Sequence, residues 1–449
     1  MRKKEGNSRL YAEVASLSLP LALQNIFQTA VSSADVIMVG NVSQDALSAV
    51  SLAGQIQFVL NLIFVGLTLG TSVLAAQYWG KGDGDAVERI LGLSLKTGML
   101  IAGVFTGFAC LFPGLLMRAF TGDEILIGYG VRYLRMVGVS YLFMALSSVY
   151  QSVMKAAGKV RKSTLIASSA LILNVLLNAL FLFGWLGIPR MGVVGVALGT
   201  LLARLVELVW CIAESLSEGG IRICPGYMNF RDRELVKDFW KYALPITLNG
   251  LSWGSAFAMY SVIMGHLGSD VVAANSLASV ARNFAMVGCG GLAGGGGIYL
   301  GTLMGKGELD EAKKAAPLIV RMTLLLAVLG GLLILAASPF MRLTADLSPA
   351  AEKYLLVMLW INSYYVVGKA LNCVANNGIF CAGGDTGFGL ICDTIDMWFF
   401  AVPLGFICAF VLHLPPMAVY FVICLDEFVK LPFVYRRYKS YKWLRNITR

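Results

Sequence analysis

Long apolar stretches, separated by short breaks of charged and turn-forming residues, recur along the whole chain. A helix that crosses a membrane needs about 20 predominantly apolar residues, and backbone in hydrocarbon must satisfy its own hydrogen bonds. The pattern therefore predicts transmembrane helices. Twelve can be placed, near residues 14–39, 48–78, 90–116, 129–154, 163–186, 191–213, 240–265, 271–304, 316–341, 353–381, 388–411 and 416–435.

Lysine and arginine are distributed unevenly between the two sides that these spans define. The side with the N-terminus, the central loop and the C-terminal tail carries 24 of them, and the other side carries 4. Cytoplasmic loops of membrane proteins are enriched in Lys and Arg. The distribution predicts a multi-pass protein of the plasma (inner) membrane, with both termini in the cytoplasm.

The chain repeats itself at an offset of 225 residues, half its length, since residues 19–55 align with 244–280 without a gap. An even number of spans separates the copies, so both halves are predicted to cross in the same direction, related by an axis along the membrane normal. The predicted fold is all-α and integral to the membrane, with twelve transmembrane helices in two parallel, pseudo-symmetric six-helix lobes. The predicted boundaries are 1–213 for the N-lobe, 214–240 for a cytoplasmic linker and 241–449 for the C-lobe.

The composition agrees with this interpretation and excludes other classes. Hydrophobic residues make up 57% of the chain and charged residues 14%, and the mean hydropathy is +0.73, which is far from a soluble domain. The net charge of +10 is explained by basic cytoplasmic loops, so no nucleic-acid partner is expected. Nine separate Cys and two His indicate neither a metal site nor a disulfide framework, and no cofactor is expected.

Asp35 is the strongest candidate for chemistry. It lies in the first predicted span, with no Lys or Arg between Arg9 and Lys81, and its repeat counterpart is Tyr260. An ionisable residue in a span indicates function by default. Because burial raises the proton affinity of a carboxylate and a nearby cation lowers it, one group can exchange H+ for Na+ or an organic cation. A structural hydrogen bond is the alternative.

Other ionisable residues in the spans favour structural roles. Arg204 and Glu207 are three residues apart on one helical face and are predicted to neutralise each other. Lys369 and Arg282 are predicted to pair or to extend toward the membrane surface.

Two regions leave structure and function open. Asp393 and Asp396 share a face near the cytoplasmic end of the eleventh span, where water is expected to reach them, and substrate entry and simple solvation are equally plausible. Eight glycines between 288 and 301 in the eighth span permit close helix packing, or a flexible segment. Pro20 and Pro245 occupy equivalent places and can bend their helices.

Several of these features together resemble the multidrug and toxic compound extrusion (MATE) family of secondary transporters. The resemblance covers nearly the whole chain. It rests on Pro20, the segment Ala-Asp-Val-Ile-Met-Val-Gly at 34–40, the paired Gly-Lys-Gly loops at 80–82 and 305–307, Leu173-Asn174 with Asn178, Gly383-Gly384-Asp385-Thr386, and Lys442-Trp443.

The resemblance implies export of cationic, often aromatic compounds in antiport with H+ or Na+ by alternating access. The implied coupling-ion and substrate site comprises Asp35, Asn174, Asn178 and Thr200, and Pro20 is the implied helix bend. Asn178 stands where the family has an aspartate, so Asp35 would be the only titrating group of the four. The implied partners are small organic cations and membrane lipid, and the implied oligomeric state is a monomer.

The family's sodium-coupled branch has acids in the C-lobe that this chain lacks, since Trp253 and Lys369-Ala370 stand near those places. That favours H+, or Na+ in the N-lobe only. Two other functions stay open. A lipid-linked saccharide flippase of the same wider superfamily would tend to have fourteen spans and a cleft lined with cations, and an integral-membrane enzyme would show clustered acids and His near one membrane face.

Overall fold

The computed structural model describes residues 2–40, 44–184, 187, 189–228, 232–344 and 347–448. Within these ranges the backbone forms seventeen α-helices and no β-strand, which confirms the all-α prediction. The helices are α1 (Arg2–Gly40), α2 (Gln44–Lys81), α3 (Gly84–Leu111), α4 (Pro113–Arg118), α5 (Glu124–Ala156), α6 (Val160–Phe183), α7 (Gly192–Leu216), α8 (Pro225–Met228), α9 (Arg233–His266), α10 (Ser269–Gly305), α11 (Leu309–Thr344), α12 (Pro349–Cys373), α13 (Thr386–Ile395), α14 (Val402–Phe406), α15 (Pro416–Ile423), α16 (Asp426–Val429) and α17 (Leu431–Lys439). Three π-helical stretches continue some of them, at Val374–Phe380, Asp396–Ala401 and Ile407–Val411.

Ten helical segments among the described residues are long and apolar enough to cross a membrane, which agrees with a multi-pass membrane protein. Ten of the twelve predicted spans overlap these segments; the first and third extend past them, to residues 39 and 116, and residues 185–186 of the fifth lie outside the described residues. The predicted seventh span lies in α9. At 34 residues this helix is long enough to cross a membrane, but it is less apolar than the ten segments. The predicted twelfth span lies in the short helices α15, α16 and α17, which are separated by turns at Cys424-Leu425 and Lys430.

The chain divides into two compact units. The C unit comprises residues 1–25, 80–82 and 244–449, and the N unit comprises residues 26–79 and 83–243. The first 25 residues thus group with the C unit, although they belong to the predicted N-lobe and residues 14–25 form the start of its first predicted span. The lobe boundaries at 213 and 241 stay a prediction.

Within the C unit, glycines of α10 allow α1 to approach closely on both sides of Pro20. A methyl group at Gly291 would lie 2.7 Å from the backbone nitrogen of Ala22, and one at Gly295 would lie 2.7 Å from that of Ser18. Both distances are shorter than real side chains tolerate. Close packing, one of the two alternatives for the glycine-rich span, therefore holds at these positions.

The predicted linker contains one short helix, α8, that packs on α3 within the N unit. A methyl group at Gly92 would lie 2.8 Å from the Tyr227 backbone, and the Tyr227 hydroxyl donates a hydrogen bond to Asp85. That bond raises the pKa of Tyr227. Arg89 forms an ion pair with the same carboxylate, so this part of the linker is held against α3.

Candidate functional site

The N-unit candidate site is built on the close packing of α6 and α7. Gly195 and Gly199 are four residues apart in α7, so they lie on one helical face. A methyl group at Gly195 would lie 2.9 Å from the Phe181 Cβ, and one at Gly199 would lie 2.9 Å from the Asn178 backbone nitrogen. Small residues at this spacing let two helices in a membrane come together, and here they bring α7 against the asparagines of α6.

A chain of side-chain hydrogen bonds joins three of the four predicted site residues. The Asn178 amide donates to Asn174 Oδ1 at 3.4 Å, and the Asn174 amide donates to Thr200 Oγ1 at 3.1 Å. The Thr200 hydroxyl in turn donates to the Val196 carbonyl oxygen at 3.0 Å. Asn178 is fully buried. The three side chains therefore form one polar cluster across α6 and α7.

The fourth predicted site residue, Asp35, lies in α1, and its side chain falls outside the described part of the structure. Pro20 lies inside the same helix. The amide and hydroxyl groups of Asn174, Asn178 and Thr200 offer oxygen atoms of the kind that hard cations prefer. None of them can gain or lose a proton near neutral pH.

The predicted pair of Arg204 and Glu207 is confirmed, with Arg204 NH1 2.7 Å from Glu207 Oε2. The other Glu207 oxygen accepts a hydrogen bond from Gln151 Nε2 at 2.7 Å. Glu207 is buried and thus has a partner at each oxygen, which fits a structural role.

The C unit holds a buried ion cluster that the sequence did not predict. The Lys430 ammonium lies 3.0 Å from a Glu427 carboxylate oxygen, 3.1 Å from one of Asp393 and 3.7 Å from one of Asp396. Lys430, Asp396 and Glu427 have side chains that are 4–5% exposed. Asn372 Nδ2 donates to Glu427 at 2.8 Å. The Lys430 ammonium is therefore the shared counter-ion of three carboxylates in a buried cluster.

This cluster changes the interpretation of Asp393 and Asp396. Asp393 and Asp396 are buried, so the expectation that water reaches them is wrong, because α16 and Lys430 cover that face.

The sequence analysis did not select Asp426, Glu427 and Lys430, although these three ionisable residues lie within five positions of one another in a predicted span. The rule that such residues in a span indicate function would have selected them.

Lys369 and Arg282 face a cavity of the C unit. The Lys369 ammonium lies over two aromatic rings, 5.5 Å from the centroid of Trp253 and 5.6 Å from that of Tyr365. Arg282 donates to Asn362 Oδ1 at 3.3 Å. Pairing and extension toward the membrane surface were both open for these two residues, and neither forms an ion pair with a described residue.

Two sequence motifs that are far apart in the chain meet at the C-terminal tail. Arg437 in α17 donates two hydrogen bonds to Asp385, at 2.6 and 2.7 Å, and this partner raises the pKa of the Arg437 guanidinium. A methyl group at Gly383 would overlap the carbonyl group of Trp443, and Trp443 is fully buried. The tail is therefore an integral part of the C unit.

No group of three or more His, Cys, Asp or Glu side chains in the described ranges could hold a metal ion. The polar cluster of the N unit consists of asparagine and threonine side chains, and that of the C unit consists of paired ions.

Comparison with known proteins places the chain in one family. The MatE family model matches residues 20–180 and again 245–407. The second match begins 225 residues after the first, at the offset of the internal repeat. A probable multidrug resistance protein NorM of Rhizobium meliloti is 27% identical over 423 residues, which cover 89% of this chain and 86% of that protein.

Two solved structures share the fold. A crystal structure of MATE in the bent conformation has a TM-score of 0.85. A MOP superfamily transporter from Pyrococcus furiosus has a TM-score of 0.83. Each is 19% identical and covers 96% of both chains. The family model matches well over half of the chain, so the protein belongs to the MatE family and, like its multidrug resistance relatives, is a drug-exporting membrane transporter and not an enzyme.

Proposed function

We propose that this protein exports small cationic or aromatic compounds from the cell in antiport with H+ or Na+. Family membership and the multidrug resistance relatives support the export function. We further propose a monomer in the plasma (inner) membrane with both termini in the cytoplasm, as the distribution of Lys and Arg favours. Lobes at 1–213 and 241–449, joined by a cytoplasmic linker at 214–240, are part of this proposal.

We assign coupling to Asp35, Asn174, Asn178 and Thr200. The observation that carries this assignment is the hydrogen-bonded chain from Asn178 through Asn174 to Thr200. It gathers three of the four residues that the family resemblance implies. Asp35 would be the exchanging carboxylate, since the other three groups do not titrate.

The three neutral groups would orient the exchanged ion by hydrogen bonds and oxygen contacts. Their hydrogen bonds to each other hold the side chains in one arrangement, which lowers the entropy lost on binding. Pro20 would allow α1 to bend when Asp35 changes its charge, because proline removes one backbone hydrogen bond. In this scheme the ion and the transported compound compete for the same carboxylate, which is the basis of exchange.

The test is dye transport into proteoliposomes that contain the full chain. Ethidium flux is driven separately by a proton gradient and by a sodium gradient, for the wild type, Asp35→Asn and the control Asp45→Asn. Asp45 is an exposed carboxylate at the start of α2. Flux in the wild type and the control, with none in Asp35→Asn, supports the proposal, and the effective gradient identifies the ion. Full flux in Asp35→Asn overturns the coupling role of Asp35.

One observation favours the flippase alternative. The flippase would tend to have cations in its cleft, and Lys369 and Arg282 line a cavity of the C unit. The same proteoliposomes, supplied with a fluorescent lipid-linked saccharide precursor, separate the two functions. Translocation of the precursor without ethidium flux would replace drug export by lipid flipping.

A further inference from the structure

The tail helix α17 has one side that is docked on the C unit. Val434 is buried, the Arg437 guanidinium is bound to Asp385, and the Tyr438 ring stacks on that of Trp443. The three positions in α17 are three to four residues apart or adjacent, so they lie on one side of the helix. Their contacts fix the rotation of α17 about its own axis.

The opposite side of α17 exposes aromatic rings next to positive charges. Phe433 and Tyr435 are 62% and 61% exposed, and Arg436 and Lys439 are exposed beside them. The Lys439 ammonium lies 5.6 Å from the centroid of the Tyr435 ring. Aromatic rings beside basic side chains are typical of helices that lie at the boundary between the hydrocarbon and the headgroups of a membrane.

The tail has no acidic residue of its own to offset these charges. Residues 431–449 contain six Lys or Arg and neither Asp nor Glu. Arg437 is neutralised within the C unit by its ion pair with Asp385. Arg436, Lys439 and Lys442 form no ion pair with any residue in the described ranges. Their positive charges are therefore available to an anionic partner outside the chain.

Two contacts place the tail beside the Gly-Lys-Gly loop at 305–307. The Asn446 amide donates to the Gly305 carbonyl oxygen at 3.5 Å, and the Lys313 ammonium lies 4.4 Å from the centroid of the Tyr441 ring. This loop follows α10, which is long and apolar enough to cross a membrane, and it lies on the predicted cytoplasmic side. The exposed side of α17 is therefore expected at the level of the headgroups of the cytoplasmic leaflet, whose anionic lipids attract basic segments next to membrane spans.

We propose that the exposed side of α17, together with the basic residues that follow it, binds the phosphate groups of anionic phospholipids. Arg436, Lys439 and Lys442 contact the phosphates, and the rings of Phe433 and Tyr435 lie beside them at the edge of the acyl chains. Because the docked side already holds the helix, little further entropy is lost when lipid binds. Bound lipid in turn stabilises the docked tail, since a ligand that binds only the folded form favours that form.

Hydrogen exchange of the tail tests this inference on the purified full chain. The chain is reconstituted in nanodiscs of phosphatidylcholine, either alone or mixed with phosphatidylglycerol, and mass spectrometry measures deuterium uptake by peptides from residues 431–445. Each basic residue near an anionic surface strengthens binding about fivefold, so exchange should be slower by about tenfold or more with phosphatidylglycerol. Anionic lipid is present in both leaflets, so the result does not depend on the predicted orientation. Equal exchange in the two lipids overturns the inference.

Two matched triple variants assign the effect to α17 and the residues after it. The variant Arg436→Gln/Lys439→Gln/Lys442→Gln removes the three proposed contacts and leaves the docked side of α17 unchanged. The control Arg118→Gln/Arg190→Gln/Lys353→Gln removes three exposed cations from the opposite predicted side of the membrane, so the net charge changes equally. The slowing by phosphatidylglycerol should fall below about threefold in the first variant and keep its wild-type value in the control. Equal slowing in the two variants overturns the assignment.

A third comparison needs no variant and separates lipid from a soluble phosphate ester. Glycerol 1-phosphate has the phosphate chemistry of the headgroup without acyl chains, and it is added to wild-type protein in phosphatidylcholine nanodiscs at the concentration of the anionic lipid. It should have little effect on exchange of the tail, because the anionic membrane surface and the contact of the aromatic rings with lipid are both missing. Slowing as large as that by phosphatidylglycerol would assign the basic side to a soluble anion and overturn the lipid proposal.

Discussion

Arg437 donates two hydrogen bonds, of 2.6 and 2.7 Å, to the carboxylate of Asp385, which lies 52 residues earlier in the sequence. Asp385 lies in the turn between the π-helical stretch Val374–Phe380 and α13, and its side chain is 7% exposed. Paired donors on a guanidinium match the two oxygens of a carboxylate. The contact therefore fixes the tail helix α17 to the inner helices of the C unit.

Replacing Asp385 by Ala should lower the free energy of unfolding by about 1.5–3 kcal/mol, as expected for hydrogen bonds to a charged group. The replacement should also speed proteolysis of the tail. Thermal melting in detergent and limited trypsin digestion measure the two effects. The control is Glu311→Ala, which removes the exposed i,i+3 partner of Lys314 and should change stability by less than about 0.5 kcal/mol. Equal effects of the two substitutions would contradict the structural role of Asp385.

The second contact of the tail depends on a glycine. In Gly383→Ala the new methyl group would overlap the Trp443 carbonyl, and overpacking of this kind costs about 1–3 kcal/mol. We expect a lower melting temperature and a more exposed Trp443, measured by quenching of tryptophan fluorescence with iodide. Gly387→Ala is the control, because nothing lies within 4 Å of its added methyl group. A Gly383→Ala protein as stable as this control would contradict the contact.

Close packing of α1 and α10 predicts a matched pair of alanine variants. Gly295→Ala would push against Ser18, whereas Gly288→Ala would meet only Leu326 atoms at 3.7 Å. We expect Gly295→Ala to lower stability by about 1–3 kcal/mol and to slow dye export, because it separates α1 from α10 beside Pro20. Gly288→Ala should keep wild-type melting and flux. Normal export by Gly295→Ala would show that this packing does not affect transport.

The sequence predicts those contacts that are local in the chain. Arg204 and Glu207 are three residues apart, and Asn174 and Asn178 are four apart, so helical periodicity alone places each pair on one face. Repeats and apolar stretches likewise predict the helices. The cluster around Lys430 is different, because its bond to Asp393 spans 37 residues and depends on how two helices are packed. No local pattern encodes that distance.

The hydrogen bond from Asn174 to Thr200 predicts a different result for two similar substitutions. Thr200→Val removes the hydroxyl and leaves a donor of Asn174 unsatisfied, so the coupling ion should bind about tenfold more weakly. Thr200→Ser keeps the hydroxyl and should behave like the wild type. Export rates as a function of ion concentration measure the difference. Identical ion dependence of the Val and Ser variants would remove Thr200 from the candidate site.

Lys430 provides the most severe test of the ion cluster in the C unit. Lys430→Met keeps the side-chain length but leaves Asp393, Asp396 and Glu427 without their cation. Removing one partner of a buried ion pair costs about 3–5 kcal/mol, so this variant should melt far below the wild type. The double variant Lys430→Met/Glu427→Gln should recover part of the loss, because it removes one of the stranded charges. Additive losses in a double-mutant cycle would show that Lys430 and Glu427 act independently, and would contradict the 3.0 Å contact between them.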